Sequence, residues 1–152
     1  MNFNSLTELA LYLAAVEIEV RRQGEKSLEK AAKVIEDAAK GELGHYQPEK
    51  GPYPAWEQLA ESTLKAHEAY GVGDTPLMLT GGLYASIEHE VQGAEAVVGS
   101  KLDVAAYQEF GTSKIPPRPF IGPGLYTSKE KIEQVMADGL VQAITGGNAV
   151  KD

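Results

Sequence analysis

The sequence predicts an α+β fold, with a long N-terminal helix and a C-terminal amphipathic helix packed on a small antiparallel sheet in a single domain. Three observations predict it. Apolar residues recur at spacings of three and four through the first forty positions; the period falls to two between Ser86 and Leu102; and the helical stripe returns over 125–144. At 152 residues the chain fits one domain. We read it as a helical segment over 1–44, an α+β body over 45–147 and a flexible tail over 148–152.

The first helix opens on Ser5-Leu6-Thr7-Glu8, the spacing of a capping box in which a hydroxyl and a carboxylate satisfy orphan N–H groups. Leu6, Leu9, Leu13, Val16 and Val20 then form a narrow seam suited to packing on another helix. Gly24 interrupts it, and Leu28, Ala31, Ile35 and Ala38 resume the stripe one residue out of register. Unbroken, residues 5–40 would span ~54 Å at 1.5 Å per residue. A globule of this size has a radius of gyration of only about 15 Å. A bend near Gly24 is therefore expected, with Gly41 and Gly44 as the stop.

Residues 41–54 are rich in Gly and Pro and read as a loop. A helix is expected from Pro54 or Ala55, with Trp56, Leu59, Ala60, Thr63, Leu64 and His67 on one side. After the loop at 71–76, Thr80 is expected to cap a short helix carrying Leu83, Tyr84 and Ile87. Ile87, His89 and Val91, then Ala94, Ala96 and Val98, alternate as two half-buried strands around Gln92-Gly93. Asp103 is expected to cap a helix ended by Gly111, and a Pro-rich loop follows over 115–123. The last helix carries Ile132, Val135, Met136, Leu140, Val141 and Ile144 as its apolar stripe and stops at Gly146-Gly147.

Composition removes several classes of function. There are no cysteines, which excludes disulfide scaffolds, thiolate zinc sites, iron–sulfur clusters and Cys nucleophiles. The net charge is −8, the only arginines are Arg21, Arg22 and Arg118, and neither half of the chain carries a basic cluster. Tight binding to nucleic acid needs several phosphates neutralised, so a gripping role is not expected, whereas passage of DNA without sticking is compatible. No apolar run reaches the ~18 residues of a membrane span. The N-terminus lacks a basic region ahead of its apolar stretch, so it does not read as a signal peptide, and synthesis in the cytosol is expected.

The search for chemistry yields little. His45, His67 and His89 form no i, i+4 ligand pair. Gly71-x-Gly73 lacks the third glycine and the preceding strand of a dinucleotide loop. No phosphate-binding P-loop and no G-x-S-x-G elbow occurs. No catalytic residue, cofactor or metal is expected, and the acids are read as a solvated surface. The aromatics gather beside two loops: Tyr46, Tyr53 and Trp56 at one, and Tyr107, Phe110, Phe120 and Tyr126 at the other.

From Pro76 onward the blocks form a recognisable order. Pro76-Leu77-Met78-Leu79-Thr80-Gly81-Gly82-Leu83-Tyr84-Ala85-Ser86-Ile87 is followed by Val97-Val98-Gly99-Ser100. Ala105-Ala106-Tyr107-Gln108-Glu109-Phe110-Gly111-Thr112 comes next, and then Pro116-Pro117-Arg118-Pro119-Phe120-Ile121. This order resembles the neck or tail-completion proteins of long-tailed bacteriophages, the minor tail components that act at head–tail joining. The resemblance covers about residues 53–145, with Thr80, Gly81, Leu83 and Ser86 at the centre of its first block.

The resemblance implies a structural virion protein made in the host cytoplasm. It would form a ring of identical subunits, hexameric in the family, that joins the head connector or head-closure protein to the tail terminator or tail tube. DNA would pass through the lumen without specific binding, with no membrane involved. It implies no reaction and no cofactor. A tail terminator that caps tube polymerisation is the alternative in the same machinery, and a small virion-associated hydrolase using His67 or His89 is the alternative outside it. A third possibility is a cytosolic adaptor that pairs through its N-terminal helix. Ring contacts are heterologous. We expect them from the seam of Leu6, Leu9, Leu13, Val16 and Val20 and from the loop carrying Phe110, Gly111, Thr112, Pro117, Arg118, Pro119 and Phe120. In that loop prolines stiffen the backbone, and Arg118 and Phe120 have the chemistry of interface anchors. Phe120 serves equally well as a plug in the chain's own core.

Overall fold

A computed structural model of the chain describes residues 3–145. The elements run α1 (Leu6–Gly41), α2 (Glu61–Ala69), α3 (Gly82–Ser86), β1 (Ile87–Gln92), β2 (Glu95–Ser100), α4 (Asp103–Phe110) and α5 (Ile121–Thr145). The fold is α+β: α1 packs on both strands of a two-stranded antiparallel sheet, and α5 packs on α1. The expected stop at Gly146-Gly147 and the tail over 148–152 lie outside the described residues.

The first helix starts as its sequence dictates. Ser5 is extended, its hydroxyl accepts the Glu8 N–H, and the Glu8 carboxylate accepts the Asn4 N–H. The bend expected at Gly24 is absent, because α1 runs unbroken for 36 residues. A single glycine costs a helix only about 1 kcal/mol against alanine. The turns before it are braced by Glu17–Arg21 and Glu19–Arg22 ion pairs. What changes at Gly24 is the neighbour. All of the buried residues of α1 (Ser27, Ala31, Ala32, Glu36 and Ala39) follow it. Ahead of it the described part of the helix forms an arm with no buried side chain.

α5 lies antiparallel along the second half of α1, with Gly124 against Ala39 and Gly139 against Ser27. Its buried residues are Pro123, Gly124, Ser128, Gly139 and Ala143, which recur with helical spacing on one face. Small residues on both helices let the backbones approach closely. A Cβ added to Gly124 would fall 2.8 Å from the Ala39 backbone nitrogen. The stripe read from the sequence is therefore only half right. Ile132, Val135 and Met136 are half-buried, but Leu140, Val141 and Ile144 are each more than half exposed. The face that α5 buries is chosen by fit to the small residues of α1, not by side-chain size.

The hairpin forms where expected, except that Ala94, expected in the second strand, lies exposed in the turn. Residues 87–92 pair with 95–100 across a Gly93-Ala94 turn, and Gly93 takes a positive φ of 61°. Ile87, His89 and Val91 alternate inward as expected; in β2, Ala96 is exposed and Val98 half-buried. The core between hairpin, α1 and the loops comprises Ala39, Leu43, Trp56, Ile87, Ala105 and Phe120.

The segment before α2 departs from expectation. Residues 54–60 form no regular element, and the helix begins only at Glu61. Tertiary bonds take the backbone away from a helix there: the Trp56 N–H donates to Gln47 O, and the Leu59 N–H donates to the Tyr46 hydroxyl. This frees the Trp56 indole to enter the core, where its Nε1–H donates to Pro119 O at 3.1 Å.

Two expected caps also shift by a residue. Gly81, at φ 75°, is the N-cap of α3, and the Thr80 hydroxyl accepts the Gly82 N–H beside it. Leu102 rather than Asp103 caps α4, and the Ser100 hydroxyl accepts the Leu102 N–H. Gly111 ends α4 as expected, with φ 74°.

Candidate functional site

The blocks that carry the resemblance converge on one groove of about 640 Å³. It is lined by the irregular segment before α2 (Glu57, Gln58, Leu59 and Ala60), with Thr63 and His67 of α2. Leu77, Leu79 and Thr80 to Leu83 line it as well. The floor and lip are Leu102, Val104, Gln108, Lys114, Ile115, Pro116 and Arg118. Thr80, Gly81 and Leu83 thus face the same space as Arg118. Ser86 stands behind them, its hydroxyl donating to Leu83 O at 2.7 Å and bonded to the Ser100 hydroxyl.

Three features set this groove apart from ordinary surface. Leu77 holds a left-handed backbone with φ 63°, the one such non-glycine among the described residues. Strain of this kind persists only where the surroundings impose it; here buried Pro76 accepts the Gly44 N–H on one side, and Met78 N–H donates to Thr75 O on the other. Secondly, Gln108 Oε1 is closed off from solvent with no hydrogen-bond partner. Lastly, His67 is buried and its Nδ1 is bonded to Gly73 O, which ties α2 to the following loop. Apolar walls with sparse polar points make a binding surface.

The structure reassigns the residues expected to be presented to a neighbour from the Pro-rich loop. Arg118 is buried, not offered at the surface. Its guanidinium donates to Glu57 O at 2.9 Å and Gln58 O at 3.1 Å, and its N–H donates to Gln108 O, so it fastens three segments of its own chain. Phe120 is fully buried in the core, and Pro119 is buried beside it. The interface role expected of Arg118 and Pro119 is thereby corrected to a folding role, and Phe120 takes the core position that was its alternative. Phe110, by contrast, is 80% exposed. Gly111 sits close under the Pro117 backbone, Thr112 turns the loop with its hydroxyl accepting the N–H groups of Lys114 and Ile115, and Pro117 is exposed. On α1, Leu6 (84%) and Leu13 (56%) are well exposed, Val20 less so, and Leu9 and Val16 half-buried.

Sequence reasoning missed Glu109. Its carboxylate accepts the N–H groups of Phe120, Ile121 and Gly122 at 2.7–3.0 Å and so caps α5 from a different helix. Nothing in the local pattern signals a cap eleven residues away. His89 was likewise undervalued. From β1 its Nδ1 bonds Glu36 and its Nε2 bonds Glu29 at 2.9 Å, both on α1, and Glu36 also meets Lys33 and Lys40. Burial pushes the Glu36 carboxyl up, but bonds from Lys40, His89 and Lys33 outweigh it and hold the group at about 2. The two glutamates raise the imidazole of His89 above its ordinary value. Among the described residues no group of three or more His, Asp or Glu side chains is arranged to hold a metal ion.

No family model, no curated protein and no solved structure matches the chain.

Proposed function

We propose that this chain is an assembly subunit of the phage head–tail neck, a tail-completion protein that associates with copies of itself and with the connector and tail proteins on either side. The observation that carries the reading is the amount of large apolar side chain left in water on both long helices. Leu6, Leu11, Leu13 and Ile18 on α1, and Leu125, Tyr126, Leu140, Val141 and Ile144 on α5, are each about half exposed or more. On α1, Leu6 shares a face with Leu13 and Leu11 with Ile18, each pair seven residues apart, and exposed apolar surface of this kind marks interaction sites.

The ordered blocks from Pro76 to Ile121 support the same reading, since several of their residues build one groove while others fasten it. Charge supports it too. A surface of net −8 repels the phosphate backbone, so DNA slides past such a subunit rather than binding it. The test is a stop codon early in this reading frame of the phage genome that carries it. Filled heads and free tails that no longer join are the expected products under the electron microscope. Normal tailed particles would end the proposal.

A further inference from the structure

We infer that the arm at the start of α1 lies in the groove of a second copy of the chain. This inference rests on the assembly reading and names the contact through which it works. Residues 6–20 form about four turns, roughly 22 Å of helix at 1.5 Å per residue, and carry Leu6 and Leu13 into solvent on one face, with Leu11 and Ile18 exposed on another. Because α1 is unbroken at Gly24, the arm cannot fold back over its own body. No residue of α1 lines the groove. An apolar arm and an apolar groove that cannot meet within one chain can meet between two.

Charge favours the pairing. Of the acids on residues 6–20, Glu17 and Glu19 pair with Arg21 and Arg22, which leaves Glu8 as the one without a cationic partner, a net −1 for the arm. The groove is lined by Lys114 and Arg118 against Glu57, so its formal charge is +1 in a protein of −8. Unlike patches placed on different parts of one surface give a heterologous contact, the kind that propagates from copy to copy and closes into a ring.

The area fits a repeated contact better than an isolated dimer. One face of four helical turns buries on the order of 400–500 Å² on each side, below the ~800 Å² per partner of a stable pair. In a closed ring every subunit is held by two such contacts.

The experiment uses the full-length chain and native mass measurement at micromolar concentration. Leu13→Asp alters the arm and Val104→Asp alters the exposed lip of the groove, with Leu6→Asp and Leu102→Asp as second variants should either fail to fold. Each variant alone should associate at least tenfold more weakly than the parent. An equimolar mixture of the two should recover a species of two chains, because one intact arm then meets one intact groove. If the arm variant abolishes association and the groove variants do not, the arms pair with each other and the inference falls. It falls also if the mixture stays dissociated, or if the parent chain never associates. The neck role is judged separately by the particles, so loss of this contact and loss of that role are distinguishable.

Discussion

His89 on β1 bonds the carboxylate of Glu36 on α1, and through that contact the hairpin is tied to the long helix across 53 residues of sequence. The same glutamate meets Lys33 and Lys40, so a mostly buried carboxylate is held ionised by three cationic or donor groups. A buried charge is tolerable when it is paired in this way and costly when it is not.

Stability should therefore pass through a plateau between about pH 4.5 and pH 6.5, bounded by two titrations. His89 is raised above 6.5 in the folded chain, so its contribution is complete below 6.5 and is lost as pH rises through the folded value. Glu36 is lowered from 4.5 to about 2, so its contribution is present above 4.5 and disappears as pH falls towards 2. Melting temperatures of the parent, His89→Gln and Glu36→Gln across pH 3–9 test this. His89→Gln should flatten the alkaline side, and Glu36→Gln the acid side. Parallel curves for all three chains would show that the cluster does not couple to folding.

Glycine to alanine substitution should have opposite effects at two positions. At Gly24 nothing lies within 4 Å of an added Cβ, so alanine should stabilise the helix by up to about 1 kcal/mol. At Gly124 the added carbon meets the Ala39 backbone, which cannot move aside, and overpacking of this kind costs about 1–3 kcal/mol. Denaturant unfolding of both variants measures the difference. A Gly124→Ala chain as stable as its parent would mean that α1 and α5 are not so closely packed.

Arg118→Ala should destabilise the isolated chain by more than about 2 kcal/mol, because hydrogen bonds from a charged donor are worth about 1.5–3 kcal/mol each and two carbonyls lose their partner. Arg118→Lys should restore only part, since an ammonium cannot reproduce the fork. A thermal melt unaffected by the alanine would return Arg118 to the surface role the sequence suggested.

Removal of the Glu109 carboxylate should loosen the start of α5. Glu109→Ala leaves the N–H groups of Phe120, Ile121 and Gly122 without an acceptor, and loss of a helix cap costs about 0.5–2 kcal/mol. Amide exchange at those three residues should accelerate by an order of magnitude or more while exchange in the middle of α1 changes less. Unaltered protection at 120–122 would mean another group caps the helix.

Much of the fold was legible because it is local. The capping box at Ser5 and Glu8, the period-two run through Ile87, His89 and Val91, the turn at Gly93 and the positive φ at Gly111 each depend on a few consecutive residues. The errors came where distant contacts override local preference. Trp56 was placed on a helix because its neighbours repeat with helical spacing, yet its indole is drawn to Pro119 and its backbone to Gln47. Of the candidate site, the Pro76–Leu83 block and Arg118 were identified, but their convergence on one groove with Gln108 and His67 was not, because those residues come from four separate stretches of chain.

By itself the sequence determined the class of fold, the order of its elements, the acidic surface and the freedom from cysteine chemistry, all of which follow from composition and from the angle at which side chains repeat. Only the tertiary structure decided which face each helix buries, that Gly24 marks a free arm rather than a bend, and that Arg118 and Phe120 serve the interior. Periodicity fixes where a stripe runs on a helix; the shape of the surface it meets decides whether that stripe is covered, and here small residues on α1 and α5 fit so closely that the larger apolar side chains were left outside.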